Sequence, residues 1–130
     1  MDVFTHTPTP LLAHSIVCLE HQNTCLYGEV IQVVEARQIG WVRPLLLRVA
    51  VSQPDQIELP QEQIYPLQSG ADLLWPICLF RMALDTEVMP LLSQLHNHQP
   101  PNQAATTASR YQLKQFVHQV WEAYPQAFEP

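Results

Sequence analysis

The sequence predicts a mainly β fold of the α+β class: a small antiparallel β-barrel of the SH3-like kind, followed by one or two α-helices. Three observations carry that expectation. Between residues 14 and 81, short runs rich in Val, Ile, Leu and aromatic residues alternate with polar turns, the pattern of several short strands. Twelve prolines stand against three glycines, so connections should be stiff and extended. From residue 109 the apolar spacing becomes that of a helix. With 130 residues the chain has room for one ordinary core and not two.

The elements follow in order. Residues 1 to 13 contain "TPTP", whose prolines cannot join a ladder, and read as a flexible N-terminal arm. "HSIVCLE" is a short strand and "HQNT" a polar turn. "LYGEVIQVVE" (Leu26 to Glu35) and "WVRPLLLRVAV" (Trp41 to Val51) are two long strands joined by "RQIG", where Gly40 is expected to supply a positive φ. A three-residue loop would set Arg37 opposite Trp41 and Glu35 opposite Arg43, whereas a four-residue loop would set Ala36 opposite Trp41 and Glu29 opposite Arg48. Either register pairs one Glu with one Arg across the strands. Pro44 cannot donate to a ladder, so the second strand must lie at an edge there or bulge. A brief strand at Ile57 to Leu59, another at "IYPLQSG" and a buried turn in "ADLLWPICLFRM" leading to a last strand near Ile77 to Arg81 complete the barrel.

At Asp85 the pattern turns helical. "DTEVMPLLSQLHN" offers Asp85 or Thr86 as N-cap, with Val88, Leu91, Leu92 and Leu95 on one face, and Pro90 predicts a kink or a late start. This closing helix ends the barrel domain, residues 14 to 95. Residues 96 to 108 form a Pro-, Gln- and Asn-rich linker. The C-terminal amphipathic helix spans 109 to 124, with Ser109 and Gln112 as a capping box, Leu113, Phe116, Val117, Val120, Trp121 and Tyr124 as its apolar face, and Pro125 as its stop.

Composition excludes several functions. A net charge of -6, with 14% charged residues, disfavours a general polyanion binder. No apolar run reaches the length of a bilayer span. Cys18, Cys25 and Cys78 form no C-x-x-C pair and sit among apolar neighbours, so reduced thiols in a cytoplasmic protein are expected. His14, Cys18, His21 and Cys25 are zinc-type residues, but an extended run separates His14 from Cys18 by about 13 Å at roughly 3.3 Å per residue, and zinc ligands must converge. "HNH" at His96 to His98 lies in the linker, away from any strand pair that could present a general base. Three glycines leave little room for a phosphate loop, and G-x-S-x-G and H-E-x-x-H are absent. Neither an enzyme nor a cofactor is expected.

Two binding functions remain. Arg37, Arg43, Arg48 and Arg81 lie in the barrel segment near Tyr27, Trp41, Tyr65 and Trp75, as an RNA-binding barrel would need. Against those four stand seven acids, Glu20, Glu29, Glu35, Asp55, Glu58, Glu62 and Asp72, so a mixed, self-paired surface is the stronger expectation. A non-enzymatic protein-interaction module, an adaptor or assembly factor, fits better. Arg and Trp anchor interfaces, and a strand interrupted at Pro44 offers an edge that a partner can extend. The candidate partner-binding residues are Trp41, Arg43, Pro44, Arg37, Trp75 and Trp121. The linker would also let the C-terminal helix exchange between two copies in a homodimer.

"LYGEVIQVVEARQIGWVRPLLL" and "DLLWP" resemble stretches of small uncharacterised cyanobacterial proteins. The resemblance implies a lineage and no activity.

Overall fold

A computed structural model describes residues 12–51, 61–67, 71–97 and 103–128. Most of the expected arm, the expected strand at Ile57 to Leu59, and His98 lie outside the described residues. Six strands, β1 (Ile16–His21), β2 (Thr24–Val34), β3 (Ile39–Val51), β4 (Gln61–Pro66), β5 (Leu73–Pro76) and β6 (Arg81–Met82), are followed by helices α1 (Asp85–Asn97) and α2 (Gln103–Ala123). Single 3-10 turns occur at Glu35–Arg37, Ile77–Leu79 and Pro125–Phe128.

All strand pairs are antiparallel, in the order β4-β3-β2-β1-β6, with β5 also on β3. The α+β class is as expected, but the sheet is open where an SH3-like barrel was expected. Its path ends in β4 and β6, and no ladder joins these among the described residues. Three features keep it open. The outer edge of β3 is already divided between β5, on Ile39 to Val42, and β4, on Leu46 to Val51. The two residues of β6 make a short end strand. The apolar face that closure would line is covered by α2 instead, through Phe116 and Val120.

Pro44 falls in the gap between β4 and β5, where β3 needs no donor on that side. The ladder with β2 bulges at the same place. Leu45 is an extra residue between the pairs Tyr27↔Leu46 and Gly28↔Pro44, and Ile31 is extra between Val30↔Val42 and Gln32↔Trp41. Neither expected hairpin register occurs. Glu29 stands opposite Arg43, and Cys25 opposite Arg48. The turn takes its left-handed residue at Gln38, φ 56°, and not at Gly40. Gly40 lies within β3, where a Cβ would come to 3.1 Å from Ile77 Cγ2; it is required for close packing rather than for turning.

The sheet separates two cores. On one face Val17, Leu19, Leu26, Val30, Val42, Leu47, Trp75 and Phe80 pack with Phe116 and Val120 of α2. On the other, Cys18, Cys25, Tyr27 and Leu46 pack with Val88, Leu91 and Leu95 of α1. The helix starts at Asp85, ahead of Pro90. Leu84, rather than Asp85 or Thr86, occupies the cap position: its backbone N–H donates to Glu87 Oε1 at 2.7 Å and its carbonyl accepts from the N–H of Glu87 and Val88, half of a capping box built on the acid alone. The start of α2 also differs from the sequence expectation. Residues 103 to 108, expected as linker, are helical, and Ser109 is buried in the helix interior. It continues the stripe of Leu113, Phe116 and Val120 at helical spacing.

Candidate functional site

The face of the sheet that carries α1 is covered at one end only. Beyond the bulges the same face presents Gln32, Trp41 and Leu74 as one cross-strand row, and Val34, Ile39 and Pro76 as the next. Leu74 is 67% exposed, Val34 40% and Trp41 36%. A bulky aliphatic side chain exposed to that extent beside an exposed tryptophan forms an apolar patch that folding leaves in water.

Asp72, just before β5, fixes the patch. The Trp41 indole N–H donates to Asp72 Oδ2 at 2.7 Å, and Arg43 Nε donates to Oδ1 at 3.3 Å. Trp41 and Arg43, two residues apart on β3, project to the same side, so one carboxylate holds both. The indole N–H first, and Arg43 second, lower the Asp72 pKa below its ordinary value. The carboxylate is therefore charged at neutral pH. Arg43, 51% exposed in its side chain, pairs with Asp72 rather than with Glu35.

The remaining candidates fall elsewhere. Arg37 is exposed in the 3-10 turn at the same end of the sheet. Pro44 is fully buried, which removes it as a contact residue; it shapes β3 from within. Trp75 is also a core residue, 8% exposed, because its side chain joins the core that α2 covers and Phe80 and Phe128 pack on it, the latter edge-on at 5.4 Å. Trp121 is 58% exposed on α2, and α2 packs on the other face of the sheet. Its apolar stripe lies on its own sheet, so the surface expected to exchange between copies is occupied within the chain.

A second polar group lies under α1. Arg81 donates to Glu87 Oε1 at 2.7 Å and to Glu20 through its other terminal nitrogen, and the Tyr27 hydroxyl donates to Glu87 Oε2 at 2.8 Å. Arg81 first, against the opposing effect of burial, pulls the Glu87 carboxyl down to about 2. Burial first, with the Cys25 and Glu87 contacts, pushes the Tyr27 hydroxyl up. Arg48 stacks on the Tyr27 ring, its guanidinium carbon 5.5 Å from the centroid.

Beside Tyr27, Cys18 Sγ and Cys25 Sγ are 3.2 Å apart, and both thiols are free and buried. Of the four zinc-type residues, only these two come together. His14 Nδ1 meets Glu29 at 3.2 Å, and His21 packs edge-on against Tyr124 at 5.7 Å. Cys18, Cys25 and Glu20 bring three donor atoms within 4.8 Å of one another, one fewer than a structural zinc site uses, and Glu20 is engaged by Arg81.

Sequence reasoning missed Asp72 and Leu74 as members of the patch, and it missed the part that Glu87 takes with Arg81 and Tyr27. The signal for Leu74 was present in "ADLLWP", where strand alternation turns one of two adjacent leucines outward. Among the described residues no helix is long and apolar enough to cross a membrane. No family model, no curated protein and no solved structure matches the chain.

Proposed function

We propose that the chain is a non-enzymatic protein-interaction module, an adaptor or assembly factor, whose partner docks on the open end of the sheet at Trp41, Arg43 and Leu74. One observation carries the reading: Asp72 clamps Trp41 and Arg43 in fixed orientations beside an exposed Leu74. A held tryptophan loses little side-chain entropy on binding, which is what an interface anchor requires. The partner surface would be apolar, with a carboxylate or carbonyl for the exposed part of the Arg43 guanidinium. Free thiols fit a reducing, cytoplasmic setting. A homodimer through α2 would have to use its outward side, where Trp121 is exposed.

The pairing of Arg43 with Asp72, and of Arg81 with Glu20 and Glu87, weighs against RNA binding, because cations already neutralised release few counterions. The test is affinity capture from native lysate with the wild type and with Leu74→Glu, Trp41→Ala and Arg43→Glu, using Trp121→Ala as control. The expected result is a protein lost by the first three variants and kept by the control. Identical partner profiles for all of them would refute this surface, and binding of polyuridine at low salt that weakens steeply with added salt would favour RNA instead.

A further inference from the structure

We propose that Cys18 and Cys25 are a redox-active pair that reduces a hydroperoxide and closes to a disulfide, with Cys25 as the attacking sulfur and Cys18 as the resolving one. This activity is independent of the docking face. In the β1–β2 ladder Cys18 stands opposite Tyr27, and Cys25 opposite Glu20, so the two cysteines are diagonal neighbours on one face. Their sulfurs already touch at 3.2 Å, and a disulfide needs about an ångström of further approach.

The surroundings separate this pair from inert core thiols, which sit among apolar groups. Glu20, Tyr27, Arg48 and Arg81 all lie around it. Access is on the Cys25 side. A cleft of about 180 Å³ is lined by Cys25, Arg48, Glu20, Asn23 and Thr24, roomy enough for several waters, hence for a small peroxide. Cys18 is fully buried and does not line it. The hydrogen bond from the Cys18 thiol, with lesser help from Tyr27 and Arg48, lowers the Cys25 pKa against burial; the same bond first, and burial second, raise that of Cys18. The order of reaction follows from both the access and the proton.

In the first step the Cys25 thiolate attacks one peroxide oxygen. An S–O bond forms, the O–O bond breaks, and the leaving hydroxide takes a proton to become water (or, from an organic hydroperoxide, an alcohol). In the second step the Cys18 sulfur attacks the Cys25 sulfur as Cys18 gives up its proton. The S–S bond forms, the S–O bond breaks, and a second water leaves. Two thiols and one hydrogen peroxide become one disulfide and two waters.

The test uses the full chain carrying Cys78→Ser, which removes the exposed thiol and leaves the pair intact. The protein is treated with hydrogen peroxide, quenched, unfolded, alkylated with a maleimide and weighed. The expected result is nearly complete loss of both alkylatable thiols, a mass lower by two hydrogens, and one linked peptide joining the segments of Cys18 and Cys25. Retention of both thiols, or added oxygen without a linked peptide, would overturn the proposal. In a folded Cys18→Ala/Cys78→Ser chain, peroxide should leave Cys25 as a sulfenic acid that a cyclic 1,3-diketone captures. A Cys25 that stays unlabelled there would overturn its role as the attacking sulfur.

Discussion

The two ends of the sheet face under α1 carry the same chemical arrangement in different surroundings. At the covered end Arg81 and the Tyr27 hydroxyl share the carboxylate of Glu87, and at the open end Arg43 and the Trp41 indole share that of Asp72. Each is an arginine and an aromatic donor on one acid. The difference is what lies above. Val88, Leu91 and Leu95 pack in one core with the aromatic donor of the first group, Tyr27, which is buried, whereas that of the second, Trp41, is exposed beside an exposed Leu74. Shielding makes such a group part of the fold, and exposure leaves it available to another molecule.

The largest expected effect breaks that comparison through packing. Leu91→Ala on α1 removes a side chain only 5% exposed and should cost about 2 to 5 kcal/mol. Leu74→Ala at the open end should change stability by no more than about 0.5 kcal/mol. Denaturant midpoints measure both, and an equal loss for the two variants would mean that the open end is packed after all.

Gly28 tests the divide between the ends. A Cβ built there comes to 2.5 Å from Val42 Cγ1 and 3.1 Å from the Arg43 carbonyl oxygen. Gly28→Ala should therefore destabilise by about 1 to 3 kcal/mol, and adding Val42→Ala should recover part of that loss, despite its own cavity, if the methyl contact is the cause. Two additive losses would place the problem in the backbone instead.

Much of this partition was legible in the sequence, and the failures have a common cause. The strand segments β1 to β4, the interruption at Pro44 and the apolar stripe of α2 are local properties, set by alternation, a missing N–H and helical spacing, whereas Leu73–Pro76, expected as a buried turn, is strand β5, and most of the expected last strand, Ile77–Leu79, is a 3-10 turn. Closure into a barrel, the hairpin register and the role of Trp75 depend on contacts between distant segments. Pro44, Trp41 and Arg43 stood out together in the sequence, yet strand alternation puts Pro44 on the buried side with Val42 and leaves the other two exposed on the opposite face. Ser109 makes the same point: a capping residue by composition, it is interior because Ala105 and Ala108, good helix formers, let the helix begin earlier.

Acid should distinguish the ends by titration. The folded-state pKa of Glu87 is lowered from 4.5 to about 2, so its contribution is complete above the unfolded value and disappears as pH falls from 4.5 toward 2. Arg81 stays charged throughout that window. The loss should be about 1 to 2 kcal/mol, less than the full shift implies because Arg81 is 44% exposed. Urea midpoints of the wild type should fall across this window, and those of Glu87→Gln should fall less. Parallel profiles would show that the Glu87 carboxylate is no better held than an exposed one.

The smallest effect is expected where function is proposed. Asp72→Asn removes an ion pair whose arginine is 51% exposed, so stability should fall by less than about 1 kcal/mol, and less still in high salt because screening weakens such pairs. The Trp41 indole should nevertheless respond, since its donor now meets a neutral amide oxygen in place of a carboxylate. In a 1H–15N spectrum the Trp41 indole resonance should move while those of Trp75 and Trp121 stay in place. If the partner interaction proposed for this surface weakens along with that shift, although the fold is nearly as stable as before, Asp72 acts by orienting Trp41 and Arg43. If the resonance moves and binding does not, the clamp is a surface ornament of the open end, and the docking energy resides in Leu74 and its apolar neighbours alone.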